Sequence, residues 1–288
     1  MRIYSNFIDK NRFKQKFKEL SNEDFSFYFE YRPSAEELAL SPINIFACEE
    51  PNEYFGNHDW IIQNHHKFSL VLTWDERVLR KCNNAQLLIY GESWLDDNTD
   101  RIMHERKKKF EISHLRGANL NTYGHALRHL IFNRQDEIAI PKKFYATVEP
   151  YKVWQDNIEG KDFILGESMF SVIIENTSHN NYFTEKITDC MLMKTVPIYW
   201  GCSNIEKYYN KNGMFCFRSD DEAINIINSL NINTYYQMLP FIKENYYRAY
   251  EYKNYITRIK NQLVRFLKST TPPQADWIYP ARPPQGIL

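Results

Sequence analysis

The sequence predicts an α/β protein built from two units, each with a parallel β-sheet. Short β-type runs alternate with amphipathic helical stretches along most of the chain, and this alternation is typical of parallel sheets covered by helices on both faces. The length of 288 residues suits two domains of about 150 residues each. Hydrophobic residues make up 43% of the chain and charged residues 25%, so both units have enough apolar side chain for a core.

Strands and helices alternate in order through the first hundred residues. A helix is predicted over residues 9–20, because Phe13, Phe17 and Leu20 recur on one helical stripe. A further helical stretch follows Asp75. The predicted strands are residues 2–7, 25–31, 43–47, 68–73 and 86–90.

A second alternation begins after residue 107. Acidic residues at 96–100 precede a basic run at 106–109, which we interpret as a solvated hinge. Beyond it, Pro240 is expected to break the helical run of residues 220–268 or to open a new segment. The predicted strands are residues 110–115, 144–148, 170–174, 195–200 and 214–217, and the predicted helices include residues 124–133 and 185–193. The predicted domains are residues 1–107 and 108–270, both α/β, followed by a Pro-rich extended tail at 271–288.

The composition excludes several classes of function. Lys and Arg together number 36 and Asp and Glu together 36, so the chain has no global positive field that would gather a nucleic acid. No run approaches the roughly 18 apolar residues of a membrane span, and the N-terminus lacks the apolar core of a signal peptide. The five cysteines form no Cys-x-x-Cys pair, which is typical of reduced thiols. We therefore expect a cytoplasmic protein without a membrane span and without general nucleic-acid binding.

Residues 170–201 contain most of the functional information. An apolar strand ends in Glu175 and Asn176, and after a polar loop Thr184 is expected to cap a helix that begins with Glu185 and Lys186. Open α/β sheets bind ligands outside the carboxyl ends of their strands, where a helix N-terminus offers free N–H groups and positive charge to a phosphate. The same spacing also fits an ordinary strand–loop–helix connection with a solvated Glu-Lys pair.

This segment resembles the signature of the glycosyltransferase family 10 fucosyltransferases, especially the compact bacterial and viral-type members. The matching residues are Glu175-Asn176, Tyr182, Thr184-Glu185-Lys186 and Val196-Pro197-Ile198-Tyr199-Trp200-Gly201, with order and spacing intact. The resemblance implies the GT-B architecture, in which two Rossmann-like domains face each other across a cleft. It also implies transfer of fucose from GDP-fucose with inversion, an N-terminal acceptor domain and a C-terminal donor domain. The donor-binding residues that it implies are Glu175, Asn176, Tyr182, Thr184, Glu185 and Lys186.

A second, shorter match concerns an arginine that grips the diphosphate in this family. Residues 124–129 follow a strand and open a helix, and the resemblance implies Arg128 for this role. A planar guanidinium fork fits phosphate oxygens better than an ammonium group does. Arg116 is the other candidate, and the alternative is that Arg128 is a helix-surface residue. His125 and His129 share a helix face, but no third ligand has suitable spacing, so no zinc site is predicted.

A third match concerns the catalytic base. Inverting transfer requires a carboxylate that takes the proton of the acceptor hydroxyl, and the family has a Glu-x-Pro at the end of a first-domain strand. Here Glu49-Glu50-Pro51 follows such a strand, so the resemblance implies Glu49 as the base and Glu50 as the intervening residue. Both are kept as catalytic candidates, and the alternative is that both are solvated loop carboxylates.

The sequence predicts no cofactor besides the donor substrate. It contains no Asp-x-Asp at a strand end, no P-loop and no Gly-x-Gly-x-x-Gly. We therefore expect a metal-independent enzyme in which Lys186, Arg128 and helix N–H groups neutralise the diphosphate. The expected partners are a nucleotide-sugar donor and a carbohydrate acceptor. Two alternatives stay open: the same fold with another nucleotide-sugar, and a non-catalytic nucleotide-sugar or glycan-binding module.

Overall fold

The computed structural model describes residues 1–6, 10–95, 107–149, 152–154 and 161–268. These residues fall into two compact units. One unit consists of the described residues of Met1–Tyr90 together with residues 254–268, and the other consists of the described residues of Gly91–Lys253. Each unit contains one sheet of mainly parallel strands with helices packed against it, as the alternation of strands and helices predicts.

Within the described residues, the strands lie close to their predicted positions, except that β8, at residues 152–154, was not predicted. They are β1 Arg2–Ser5, β2 Phe25–Phe29, β3 Ile43–Cys48, β4 Leu70–Thr73, β5 Ala85–Leu87, β6 Lys109–Arg116, β7 Lys142–Glu149, β8 Lys152–Trp154, β9 Ser168–Ile174, β10 Val196–Trp200 and β11 Phe215–Cys216. The helices are α1 Lys10–Lys16, α2 Ala35–Leu38, α3 Asn52–Phe55, α4 Asn57–Asn64, α5 Glu76–Lys81, α6 Tyr123–Asn133, α7 Lys161–Glu167, α8 Glu185–Leu192, α9 Asp220–Ser229, α10 Ile232–Tyr252 and α11 Tyr255–Lys268. No helix among these residues is both long and apolar enough to cross a bilayer.

The sheet of the first unit has five parallel strands in the order β1-β2-β3-β4-β5. Successive residues of a strand point to opposite faces of the sheet, and each face has its own core. Phe27 on one face packs in a cluster with residues of α1 and α11. Tyr28, its neighbour, packs on the other face with Ile61 of α4 and Val78 of α5.

The division between the units differs from the predicted boundary at residue 107. It falls between Tyr90 and Gly91, and α11 packs with the first unit rather than with the second. The helical period of α11 shows that one face is apolar, but it does not show which sheet that face covers. The predicted hinge residue 106, the acidic residues 96–100, strand residue 7, helix residue 9 and the tail at 271–288 lie outside the described residues.

The sheet of the second unit has the order β11-β10-β9-β6-β7-β8, and its neighbouring strands are parallel except for the antiparallel pair β7–β8. Its core joins β9 to α6, α9 and α10. Ile174 at the end of β9 pairs with Trp200 of β10. The residues that follow β9 and β10 therefore lie side by side at one edge of the sheet.

Pro240 lies inside α10, which runs unbroken from Ile232 to Tyr252. The prediction that it breaks the helix or opens a new segment is wrong. An internal proline costs a helix about 3 kcal/mol. Here the burial of Tyr235, Met238 and Ile242 on the same helix stabilises the continuous segment.

Candidate functional site

Glu175 directly follows β9 and has no exposed surface. Its backbone N–H donates to the carbonyl of Trp200 at 2.9 Å. Its carboxylate accepts two hydrogen bonds from Thr184, one from the backbone N–H at 3.1 Å and one from the hydroxyl at 2.6 Å. Glu175 thus fixes the start of α8 against the end of β9.

Thr184 caps α8, as the sequence predicts, because its hydroxyl oxygen accepts from the backbone N–H of Lys186. The ammonium group of Lys186 lies 3.1 Å from the same oxygen. It also lies 3.3 Å from Oε1 of Glu185. Lys186 therefore adds a full positive charge at the N-terminal end of α8, where the helix dipole is already positive.

The two carboxylates beside Lys186 have opposite pKa shifts. Burial raises the pKa of Glu175, although the positive charge of Lys186 opposes the rise. Burial also opposes ionisation of Glu185, but the ammonium groups of Lys186 and Lys161 outweigh it and lower its pKa to about 2. Glu185 is therefore a buried, ionised carboxylate at neutral pH.

Lys161 and Asp189 belong to this site, and sequence reasoning missed both. The ammonium group of Lys161 lies 3.3 Å from Oε1 of Glu185 and 3.0 Å from Oδ2 of Asp189, and 4.7 Å from the centre of the Trp94 ring. The other oxygen of Asp189 accepts from the hydroxyl of Ser93 and from the backbone N–H of Trp94. Glu185 and Asp189 are four residues apart on one helix, a spacing at which like charges destabilise the helix, and Lys161 compensates by contacting both carboxylates.

Arg128 is buried, with 7% of its surface exposed, so the alternative of a helix-surface residue is wrong. Its Nε donates to the carbonyl of Ile174 at 3.0 Å, and its terminal nitrogen donates to the side-chain oxygen of Asn176. The structure thus brings Arg128 of α6 to the end of β9, beside Asn176.

Gly124 allows α6 to approach this strand end closely. Its backbone N–H donates to the carbonyl of Asn176 at 3.1 Å. A Cβ atom at Gly124 would lie 1.9 Å from the carbonyl oxygen of Glu175, which no side chain tolerates. The capped N-terminal ends of α6 and α8, at Thr122 and Thr184, therefore both adjoin the residues that follow β9.

The pKa of His125 reflects the positive electrostatic potential of this region. It is buried, and its Nδ1 lies 2.8 Å from the hydroxyl of Thr122. Burial, together with the positive charges of Arg128 and Lys186, lowers its pKa to about 4. The imidazole is therefore neutral at physiological pH, in a region of positive potential suited to an anion. Among the described residues, no cluster of three or more His, Cys, Asp or Glu side chains could hold a metal ion.

Arg116 and Tyr182 are the two remaining donor-binding candidates of the second unit, and their neighbours include residues other than Arg128 and Lys186. Arg116, the last residue of β6, places its guanidinium 4.7 Å from the centre of the Phe132 ring and 3.1 Å from Nδ1 of His129. Tyr182 is 2% exposed. It follows Asn181, which has a left-handed backbone and accepts from the Tyr208 hydroxyl at 2.6 Å.

Glu49 and Glu50 lie in the first unit, directly after β3. Glu49 is buried with 8% of its surface exposed, so it is not the solvated loop carboxylate of the alternative interpretation. The indole N–H of Trp74 donates to its backbone carbonyl at 2.5 Å. The hydroxyl of Tyr255 donates a hydrogen bond to the Glu49 carboxylate. Burial and this neighbouring carboxylate raise the pKa of Tyr255 well above its ordinary value.

Comparison with known proteins agrees with the predicted resemblance. No family model matches the chain. The chain is similar to the alpha-(1,3)-fucosyltransferase FucT of Helicobacter pylori, with 36% identity over 88 residues. This match covers 29% of the chain and 18% of the Helicobacter protein, so the chain spans less than a fifth of that relative's length.

Two solved structures are similar over nearly the whole chain. One is a crystal structure of an alpha1,3-fucosyltransferase, with a TM-score of 0.58 and 20% identity, covering 93% of this chain and 90% of that one. The other is an alpha1,3-fucosyltransferase with GDP-fucose, with a TM-score of 0.55 and 20% identity, covering 96% and 91%.

These likenesses show that the chain has the GT-B fold of glycosyltransferases, as the resemblance implied. Within that class, both the sequence relative and these two structures are alpha1,3-fucosyltransferases by name. The predicted resemblance to this family is thereby confirmed.

Proposed function

We propose that the chain transfers fucose from GDP-fucose to a hydroxyl group of a glycan, with inversion and without a metal ion. One observation supports this most directly: Arg128, Lys186 and the N-terminal ends of two helices meet at the end of β9. The similarity to alpha1,3-fucosyltransferases adds support for the sugar and the nucleotide.

The diphosphate is bound by the positive groups at this strand end. Arg128 offers a planar guanidinium, and Lys186 offers a compact charge at the start of α8. Backbone N–H groups of a helix N-terminus bind phosphate oxygens well. Together they stabilise the charge that develops on the diphosphate as it leaves, which is the role a divalent ion has in metal-dependent transferases.

The other donor-binding residues fall into two groups. Asn176 and Glu185 offer amide and carboxylate oxygens to the hydroxyls of the donor, because Glu185 stays ionised and accepts hydrogen bonds only. Thr184 hydrogen-bonds to both Glu175 and Lys186, so Glu175 and Thr184 contribute by holding Lys186 in place. The buried Tyr182 belongs to the loop before α8.

The proton of the acceptor hydroxyl is taken by Glu49. As it leaves, the hydroxyl oxygen bonds to the anomeric carbon, and the bond from that carbon to the diphosphate oxygen breaks. GDP departs with the electron pair, and a single displacement of this kind inverts the configuration. Glu50, the next residue, is the alternative base.

A second candidate function is transfer of another sugar from another nucleotide diphosphate. The observation that favours it is the position of Arg128 and Lys186, since these cations recognise a diphosphate whatever sugar it carries. A binding module without catalysis is a third possibility.

We also propose a cytoplasmic location. All five cysteines are free thiols, and four of them are buried. Paired cysteines would be expected in an oxidising compartment.

A donor panel tests the function. GDP-fucose, GDP-mannose and UDP-glucose are incubated with a panel of glycan acceptors in the presence of EDTA, and the released nucleotide is measured. We expect GDP release from GDP-fucose alone, and GDP-mannose is the matched control because it has the same nucleotide. Release from another donor would support the second candidate. Binding of GDP without any turnover would support the binding module.

A further inference from the structure

Glu30 is a buried carboxylate at the end of β2, beside the proposed base. It is 3% exposed, and its backbone N–H donates to the carbonyl of Ala47 in β3. Its Oε1 accepts from the backbone N–H groups of both Glu49 and Glu50. Its Oε2 accepts from the side-chain amide of Asn57. One side chain therefore holds three points of the chain: the backbone at Glu49, the backbone at Glu50 and the start of α4.

These three partners are all donors, so the site requires a group that only accepts. A carboxylate meets this condition, whereas an amide does not. Asn57 cannot reverse its amide without loss, because its oxygen accepts from Nε of Arg32 at 2.7 Å. In either orientation of its amide, a glutamine at position 30 would therefore place its NH₂ group against another hydrogen-bond donor, and one hydrogen bond would be lost.

The arrangement at Glu30 costs free energy in two ways. A buried carboxylate is expensive unless it is fully hydrogen-bonded. Burial raises its pKa, although Asn57 and the two backbone N–H groups oppose the rise. In addition, Glu30 has a left-handed backbone with φ of 51°, a conformation that is unfavourable for residues other than glycine. Such costs are retained mainly where the surrounding structure has a use for the geometry.

We propose that Glu30 is a positioning residue that fixes the turn of Glu49 and Glu50 and thereby aims the carboxylate of the base. This inference rests on the proposed function, in which Glu49 accepts the proton. Two further contacts complete the support: Trp74 holds the Glu49 carbonyl, and the Tyr255 hydroxyl donates to the Glu49 carboxylate. Glu30 restrains the backbone N–H groups of Glu49 and Glu50, Trp74 restrains the carbonyl of Glu49, and Tyr255 restrains its side chain.

Kinetics of Glu30→Gln test the inference. The assay measures GDP release from GDP-fucose with water as the acceptor, so no glycan need be known. We expect kcat to fall by about 10- to 100-fold, the range for a misplaced catalytic group, with the KM for GDP-fucose unchanged because the proposed donor residues lie in the other unit. Glu23→Gln, an exposed carboxylate of the same unit, is the control and should leave both constants unchanged. A folded Glu30→Gln protein with wild-type kcat, or with kcat and KM both altered, would overturn the inference.

Two further measurements keep the inference testable. If Glu30→Gln does not fold, Asn57→Ala removes one of the three donors and should lower kcat by about 3- to 10-fold at constant KM; an unchanged kcat overturns the inference. Amide hydrogen exchange at Glu49 and Glu50 should be slow in the wild-type protein and faster in either variant, and equal rates also overturn it. A wild-type protein that releases no GDP from any donor would refute the proposed function, while the exchange rates would still decide whether Glu30 holds the turn.

Discussion

The ammonium group of Lys186 lies 3.8 Å from Oε2 of Glu175, a carboxylate with no exposed surface. The hydroxyl of Thr184 lies between them, donating to Glu175 and accepting from Lys186. Glu175, the capping Thr184 and Lys186 thus form one hydrogen-bonded group at the junction of β9 and α8. Lys186 is the most accessible of the three, with 22% of its side chain exposed, so it is the one available to an anion.

Replacement of Lys186 by alanine should weaken GDP binding by about 10- to 100-fold, the effect of losing one or two charge-assisted hydrogen bonds. Arg128→Lys should also weaken it, because an ammonium group keeps the charge but not the planar fork. Isothermal titration calorimetry with GDP measures both. Lys207→Ala, an exposed lysine of the same unit, is the control. Undiminished affinity in both variants would refute the proposed diphosphate site.

Substitution of the proposed base separates Glu49 from Glu50. Glu49→Gln keeps the size of the side chain but removes its ability to take a proton, so transfer from GDP-fucose should fall by about 10²- to 10⁴-fold. Glu50→Gln should change turnover by less than about threefold if Glu50 is only the intervening residue. The measurement is the rate of GDP release from GDP-fucose. The GDP affinity of each variant is measured as well and should equal that of the wild-type protein. The reverse order of effects would assign the base to Glu50.

Gly124→Ala should destabilise the second unit, although alanine is the better helix former by about 1 kcal/mol. The added Cβ would lie 1.9 Å from the Glu175 carbonyl oxygen and 2.6 Å from that of Asn176, so α6 must move away from the strand end. Overpacking of this kind costs about 1–3 kcal/mol, sometimes more. Gly117→Ala is the matched control, since its Cβ would meet only Thr147 at 3.9 Å. Urea unfolding measures both variants, and equal stability would contradict the close approach.

The local features of the donor segment could be predicted because they are encoded by neighbouring residues. The apolar run of β9 and the threonine cap of α8 lie within residues 170–192, and both agree with the structure. The Asp75 cap of α5 is a similar local feature. Strand positions were predictable for the same reason.

Features that depend on distant residues could not be predicted in this way. Glu30 acts on residues 19 and 20 positions further along, and Lys161 acts on Glu185, 24 positions away. Nothing near either residue marks it as more than a surface charge. The assignment of α11 to the first unit is a third case, because an apolar stripe does not name its partner.

Lys161→Met should destabilise the second unit by about 3–5 kcal/mol at neutral pH, because the buried carboxylate of Asp189 loses its cation and Glu185 keeps only Lys186. Glu185 has a pKa lowered to about 2, so its ionised form stabilises the fold above its unfolded pKa, and this contribution is lost as pH falls through 2. Without Lys161 that contribution shrinks, so the difference between variant and wild type should be larger at pH 7 than at pH 4. Urea unfolding at the two pH values checks this, and a further Asp189→Asn change should recover part of the loss. A pH-independent difference would mean that the lysine only packs.

Binding of GDP should raise the pKa of His125 and take up a proton near pH 5. In the free protein, burial and the charges of Arg128 and Lys186 lower this pKa to about 4, so the ring is neutral at pH 5. A bound diphosphate supplies negative charge that offsets these cations, which favours the protonated ring. Calorimetry in two buffers of different ionisation enthalpy measures the uptake. His125→Gln should abolish it, whereas His66→Gln, an exposed histidine of the first unit, should not.

His125 should also make the stability of the free protein depend on pH. Because the folded protein favours the neutral ring, His125 contributes stability above its unfolded pKa, and this stability is lost as pH falls towards 4. Bound GDP should restore part of it. Binding without proton uptake, with GDP affinity intact, would place the diphosphate away from the ends of α6 and α8.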